Sequence, residues 1–424
     1  MRLAARVTAL ATPVFLLACA VPDGGLFRAE RYRDVHLYGI YADRFLRGEL
    51  PYRDVFVEYP PGAFAVFLPP AALPGGAYNV AFKSLMALCG IAALFAVVLI
   101  LVTLGLRGRR LYSAAALFAL SPIAVGPISL NTYDLFPAAL TVGALAAILR
   151  RRELLGFGLL GLAVTAKLYP LVLVVPALAF VWANLGRRRA AWSAAVLGGV
   201  VVAVLLPFAV LAPGGLWDSF HAQSSRGLQI ESLGSAVLLA AHQLGLYEAT
   251  VVRGATGAAT RDLTGSLPDA LATLTLVLQV AAVLAVWFLF LREPRSPDRL
   301  VLAFAAAVTG FLVFNKFVSP QYLVWLIPLV LLLPGRTGLV ATGLVAASLV
   351  LAQIWFFHYS RVFELERITW LVVVRDAALL ALYVLLLLRL KTSTPSSEKT
   401  SRQSGLRRSR ARSVAVANGS QRSA

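Results

Sequence analysis

The chain has 424 residues, of which 59% are hydrophobic and only 14% charged, with a formal net charge of +19. Apolar runs of about 20 residues, the length a helix needs to cross the hydrocarbon core, recur along it and exclude a soluble globular domain. The positive charge reads as membrane topology and not as nucleic-acid binding, because its clusters fall between alternate apolar runs.

Twelve spans are predicted, at roughly 3–22, 78–106, 111–130, 133–149, 154–168, 169–184, 190–212, 268–291, 299–315, 319–334, 337–358 and 369–390, which makes the fold all-α and polytopic. The first ends in a Leu-Leu-Ala-Cys stretch that faintly resembles a lipoprotein signal. Leu17 stands where a smaller residue is usual, so an uncleaved helix is expected.

Residues 23–77 then hold seven carboxylates: Asp23, Glu30, Asp34, Asp43, Glu49, Asp54 and Glu58. From Asp34 the pattern is helical, with Val35, Tyr38, Tyr41, Ala42 and Phe45 on one face. Asp34 takes the N-cap position and Gly48 follows the last turn. Such a helix is predicted to lie on the membrane surface, its aromatic face among the lipid headgroups. The next apolar piece is broken by Pro60, Pro61, Pro69 and Pro70 and is too short to span. It is predicted to re-enter the bilayer, buried against other helices.

Further on, arginine clusters at 107–110, 150–152, 187–189 and 292–299 mark one side of the membrane. With Arg2, Arg6, Arg336, Arg389 and the tail, that side carries 24 basic residues against four acids, whereas the other carries 15 against 16. The basic side is expected in the cytoplasm, with both termini inside and an even number of spans. Residues 23–77, 213–267 and 358–368 are then outside, and the first two are too long to be mere connectors. A membrane domain over 1–390 is followed by a tail, 391–424, rich in Ser, Thr and Arg. The tail is expected to be disordered, with its charge on anionic lipid. Cys19 and Cys89 fall in spans at different depths and offer neither a disulfide nor a metal pair. No internal repeat is visible, which weighs against transporters built from duplicated halves.

Asp34 reads either as a helix cap or as a general base held at the water–lipid boundary, and Glu58 either as a solvated loop acid or as a base. Partial desolvation would raise the pKa of such a base. Only five of the 39 basic residues are lysines, and Lys83, Lys167 and Lys316 all fall near the outer ends of spans. Each reads either as a snorkelling side chain or as a point charge for a phosphate, and Arg226 joins them as a candidate. The four histidines (His36, His221, His242 and His358) show no metal spacing, although His36 adjoins the Asp34 region.

Taken in order, several stretches resemble the GT-C glycosyltransferases, and most closely glycosyltransferase family 87, the polyprenyl-phosphate-mannose-dependent group. They are Asp34 to Tyr38, Gly48 to Tyr52, Glu58-Tyr59-Pro60-Pro61, Asn131 to Pro137, and Ala166-Lys167-Leu168-Tyr169-Pro170. Arg226 to Ser232 and Asn315 to Tyr322 complete the set, which spans most of 31–330. The resemblance implies a GT-C-like fold, a lipid-linked sugar donor, and an essential acid near the start of the first outside loop, which falls on Asp34. Some relatives carry paired acids where this chain has Asp34-Val35-His36, which leaves Asp134 or Glu58 as a second acid.

The expected activity is inverting transfer of a hexose, mannose first, from a polyprenyl-phosphate donor to a hydroxyl of a glycolipid, glycan or protein at the outer face. Asp34 would be the base. Lys167, Lys316, Arg226 and Lys83 would hold the phosphate, while His36, Tyr38, Tyr59, Gln229, Glu231 and Gln321 would contact sugar or acceptor. No cofactor, metal or nucleic acid is expected. The alternatives are a transferase of lipid-linked arabinose or glucose, or a lipid or polysaccharide transporter. A transporter should carry its charges near the bilayer midplane in matching halves.

Overall fold

Within a bilayer a helix satisfies all its own backbone hydrogen bonds, so long apolar runs have little choice of conformation. A computed structural model describes residues 1–22, 34–73, 76–254 and 260–392. Asp23, Glu30 and the tail beyond residue 392 lie outside the described residues. The first half contains α1 (Arg2–Val21), α2 (Asp34–Leu46), α3 (Phe64–Ala71), α4 (Tyr78–Thr103), α5 (Gly108–Val125), α6 (Ile128–Asn131), α7 (Leu135–Leu149), α8 (Glu153–Ala166), α9 (Val174–Leu185) and α10 (Arg187–Leu211). The second contains α11 (Pro213–Ser224), α12 (Leu233–Gln243), α13 (Ser266–Arg292), α14 (Pro297–Val313), α15 (Leu326–Val330), α16 (Gly335–Phe357), α17 (Tyr359–Phe363) and α18 (Trp370–Thr392).

Each of the twelve apolar runs is helical over most of its length. Among the described residues six helices are long and apolar enough to cross a membrane: α1, α4, α10, α13, α16 and Arg367–Thr392. The shorter apolar helices Leu135–Leu149, Glu153–Ala166, Tyr169–Leu185 and Pro320–Val330 stand where four of the other expected spans were read. The protein is thus a multi-pass membrane protein. α14 is buried from Arg299 to Gly310 and forms the centre, packed on α13, α18 and α9. By contrast α10 buries only Ala190 and Ser193, the surface expected of a helix that faces lipid.

The helix expected from Asp34 is α2, and it buries Val35, Tyr38, Tyr41 and Ala42. Its aromatic face is not left for headgroups. The Tyr38 ring stacks on Phe67 at 4.4 Å between centroids and also meets Phe82, Tyr59 and Tyr133. The proline-broken piece folds as a 3-10 turn, Pro61–Ala63, followed by the eight residues of α3, with Phe64, Val66 and Phe67 buried. Gly62 lets this turn touch α8: a Cβ there would lie 2.5 Å from the carbonyl carbon of Thr165. At Gly215, on α11, a Cβ would lie 1.5 Å from the Tyr52 carbonyl oxygen.

Among the described residues the fold departs from an all-helical expectation in one small sheet and an isolated bridge between Pro51 and Val55. Strands β1 (Leu228–Gln229), β2 (Val251–Arg253) and β3 (Arg261–Leu263) form an antiparallel sheet in the order β1-β3-β2. Leu228 faces Leu263, and Gln229 faces Asp262. Strands of two and three residues are too short to carry an alternating pattern, so nothing in the sequence announces them.

Candidate active site

Asp34 opens α2, and the buried Tyr38 one turn later fixes the helix so that Asp34 lines a cavity of about 870 Å3. The cavity lies between the first loop, the end of α8, the segment after α14, the sheet and α17. Burial, reinforced by the charges of Glu58 and Asp134 and opposed by Lys167, raises the Asp34 pKa to about 6.

Lys167 sits where α8 stops. Continuing the helix would drive the Pro170 ring into the carbonyl of Ala166 and leave no N–H to bond it. Its Nζ donates to Asp134 Oδ1 at 2.5 Å, and Trp325 Nε1 donates to the same oxygen at 2.7 Å. The ammonium also stands 4.6, 4.8 and 5.1 Å from the ring centroids of Tyr133, Tyr322 and Trp325. Such a cage stabilises a cation by the rings' negative faces. Asp134 immediately precedes α7, and its Oδ2 is buried with no hydrogen-bond partner among the described residues.

A second ion pair joins the segment after α2 to the segment after α11. Arg226 Nη2 donates to Glu58 Oε2 at 2.9 Å, while Gln223 Nε2 donates to the Glu58 carbonyl at 2.8 Å. The Arg226 guanidinium lies 4.9 Å from the Phe317 ring centroid. Glu231 is buried beyond β1, with its Oε1 accepting the Tyr359 hydroxyl at 3.0 Å and its carbonyl accepting a hydrogen bond from Arg375. Burial pushes its carboxyl up to about 8, with Arg375 pulling the other way.

Of the residues singled out from the sequence, Asp34, Glu58, Lys167, Arg226, His36, Tyr38, Tyr59, Gln229, Glu231 and Gln321 all line this one cavity. Asp134 lies behind the wall, bonded to Lys167. Lys316 and Lys83 are not on the wall, so the three interior lysines do not converge on one point. Instead Lys316 Nζ donates to the Ser224 carbonyl at 2.6 Å, and its own carbonyl accepts the Gln229 N–H at 3.0 Å. It works as a strap between α11, β1 and the segment after α14. Lys83 lies on α4.

Three groups escape a sequence reading. Arg261 on β3 lines the cavity, 4.7 Å from the Phe363 ring centroid, but stands in a short strand with no pattern around it. Tyr133, Tyr322 and Trp325 form the cage, and the adjacency of Tyr133 to Asp134 is the signal that points there. Arg375, wholly buried in α18, reaches Glu231 from what reads as an ordinary span. Among the described residues no three His, Cys, Asp or Glu side chains are grouped to hold a metal ion.

The sequence model of glycosyltransferase family 87 matches residues 56–320, a range that takes in Glu58, Asp134, Lys167, Arg226 and Glu231 and begins after Asp34. No curated protein sequence gives a match. Among solved structures, the chain is similar to ArnT from Cupriavidus metallidurans bound to undecaprenyl phosphate. Identity is 15%, over 91% of this chain and 77% of that one, with a TM-score of 0.47. It is also similar to the Archaeoglobus fulgidus oligosaccharyltransferase tethered with an acceptor peptide containing the NVT sequon. There identity is 15%, over 94% of this chain and 58% of that one, with a TM-score of 0.41.

Proposed function

Because this chain belongs to glycosyltransferase family 87, we propose that it is an inverting hexosyltransferase that takes mannose from a polyprenyl-phosphate-linked donor. The acceptor is a hydroxyl of a glycolipid, glycan or protein at the outer face of the membrane. The observation that carries this reading is the joining, in one cavity, of a carboxyl at Asp34 whose pKa is raised with the cations of Lys167, Arg226 and Arg261.

In the reaction, Asp34 takes the proton of the acceptor hydroxyl as its oxygen forms a bond to the anomeric carbon. The bond from that carbon to the phosphate oxygen breaks on the opposite face, which inverts the centre and releases the polyprenyl phosphate. Negative charge grows on the phosphate in the transition state, where preorganised cations are most effective. Lys167 and Arg226 are each paired with an acid, yet an ammonium has three N–H donors and a guanidinium five, which leaves donors for a phosphate. Lys83 and Lys316 have no part in this step. Glu58 and Asp134 hold the cations and raise the basicity of Asp34, so the base acts alone.

The charge asymmetry supports cytoplasmic termini and an outward-facing cavity. Six long helices, four shorter apolar ones in expected spans, and α5 and α14 in two more support a count of about twelve passes. A direct test is transfer by purified full-length protein from polyprenyl-phosphate donors bearing mannose, glucose or arabinose. Transfer of mannose above the other two is expected. A protein inert with every lipid-phosphate donor, yet active with a nucleotide sugar, would end this proposal.

A further inference from the structure

Two deeply buried oxygens on the cavity wall have no hydrogen-bond partner among the described residues: Glu231 Oε2 and Gln229 Oε1, on side chains whose residues are only 1% and 3% exposed. Buried acceptors left unpaired are costly, so a fold that keeps two such groups two residues apart invites a donor from outside the chain. The bend that carries them is rigid. β1 is held by β3, the Ile230 N–H donates to the Arg261 carbonyl at 2.9 Å, and the Ser232 N–H closes back on the Gln229 carbonyl at 2.9 Å. Behind Glu231, the Tyr359 hydroxyl occupies Oε1 and Arg375 holds the main-chain carbonyl. The second carboxyl oxygen is therefore the part of Glu231 left to meet a ligand.

The chemistry of that ligand follows from the pair. Neither group carries the positive charge that favours a phosphate, which suits the Lys167 and Arg226 part of the wall instead. A hydroxyl both donates and accepts, so it bonds to Glu231 whether that carboxyl is charged or neutral. Phe356, Tyr359 and Phe363 also line the cavity and offer apolar ring surface to the C–H face of a sugar. We infer that Gln229 and Glu231 form the subsite that grips hydroxyls of the donor's glycosyl group, and so determine which sugar is accepted. This rests on the lipid-linked donor proposed above.

The test compares binding of polyprenyl-phosphate mannose with binding of bare polyprenyl phosphate, using full-length protein carrying Asp34→Asn to stop turnover. Adding Glu231→Ala or Gln229→Ala should weaken the mannose-bearing lipid roughly tenfold, as for one lost hydrogen bond to a buried group, and leave the bare lipid within about twofold. Glu231→Gln, which keeps an acceptor oxygen, should recover part of the loss. Gln229→Ala retains the backbone bond to Lys316 and guards against a misfolded Glu231 variant. Equal losses for both lipids, or no loss for either, would overturn the subsite. Failure of both lipids to bind the Asp34→Asn protein would remove the donor itself, and the subsite with it.

Discussion

Lys167 Nζ and Asp134 Oδ1 stand 2.5 Å apart with side chains 13% and 1% exposed, an ion pair withdrawn almost entirely from water. Removing one partner of such a pair strands the other charge, which costs about 3–5 kcal/mol. Lys167→Met is therefore expected to lower the thermal unfolding temperature in detergent steeply. The double variant Lys167→Met with Asp134→Asn should regain much of that loss, because no lone charge is left. Equal stability of the single and double variants would mean that the aromatic cage, and not the ion pair, sustains this corner of the cavity.

Asp34→Asn should reduce kcat by about 10²- to 10⁴-fold, the usual contribution of a general base, with little change in KM for the donor. Asp34→Glu, which keeps a carboxylate at a displaced position, is expected to fall between the two. Steady-state kinetics with a radiolabelled lipid-phosphate donor separates these outcomes.

The raised pKa of Asp34 gives two pH signatures. A base must be deprotonated to act, so activity should rise about tenfold per pH unit below about 6 and level off above it. Stability runs the other way. The folded state holds the proton up to about 6 whereas the unfolded chain releases it near 3.8, so between those values the folded state binds more protons. The contribution of Asp34 is thus fully present below about 3.8 and is lost as pH rises through about 6. Unfolding temperatures of Asp34→Asn and the unaltered protein should match at pH 3.5, with the variant pulling ahead by pH 7.

Arg226 and Glu58 tie the segment after α11 to the segment after α2 at 2.9 Å. A double-mutant cycle with Arg226→Ala and Glu58→Gln should return a coupling of about 1–2 kcal/mol in stability. Arg226→Ala alone is expected to raise KM for the donor more than it lowers kcat. A KM unchanged in Arg226→Ala would take this residue out of phosphate binding.

Much of this arrangement is legible in the sequence where a pattern repeats. The twelve apolar runs declare themselves by length, and the spacing of Val35, Tyr38, Tyr41 and Ala42 declares α2 and its buried face. What covers that face is another matter. A stripe of tyrosines suits lipid headgroups as well as protein, and only the arrival of Phe67 and Phe82 decides for protein. The interior lysines show the same limit. Lys83, Lys167 and Lys316 look alike in sequence, but the break imposed by Pro170 is what turns Lys167 alone to the cavity. Arg261 and Arg375 reach the site through long-range packing, in a three-residue strand and in the middle of a span, where neither composition nor periodicity marks them.

Gly62 and Gly215 bear on how far the segment after α2 can move. With backbone pressed on backbone at both places, the loop between α2 and α3 cannot swing as a separate flap; it travels with α8 and α11 as one block. The spacing between Asp34 and Lys167 is then part of the block's own geometry and does not breathe with each turnover.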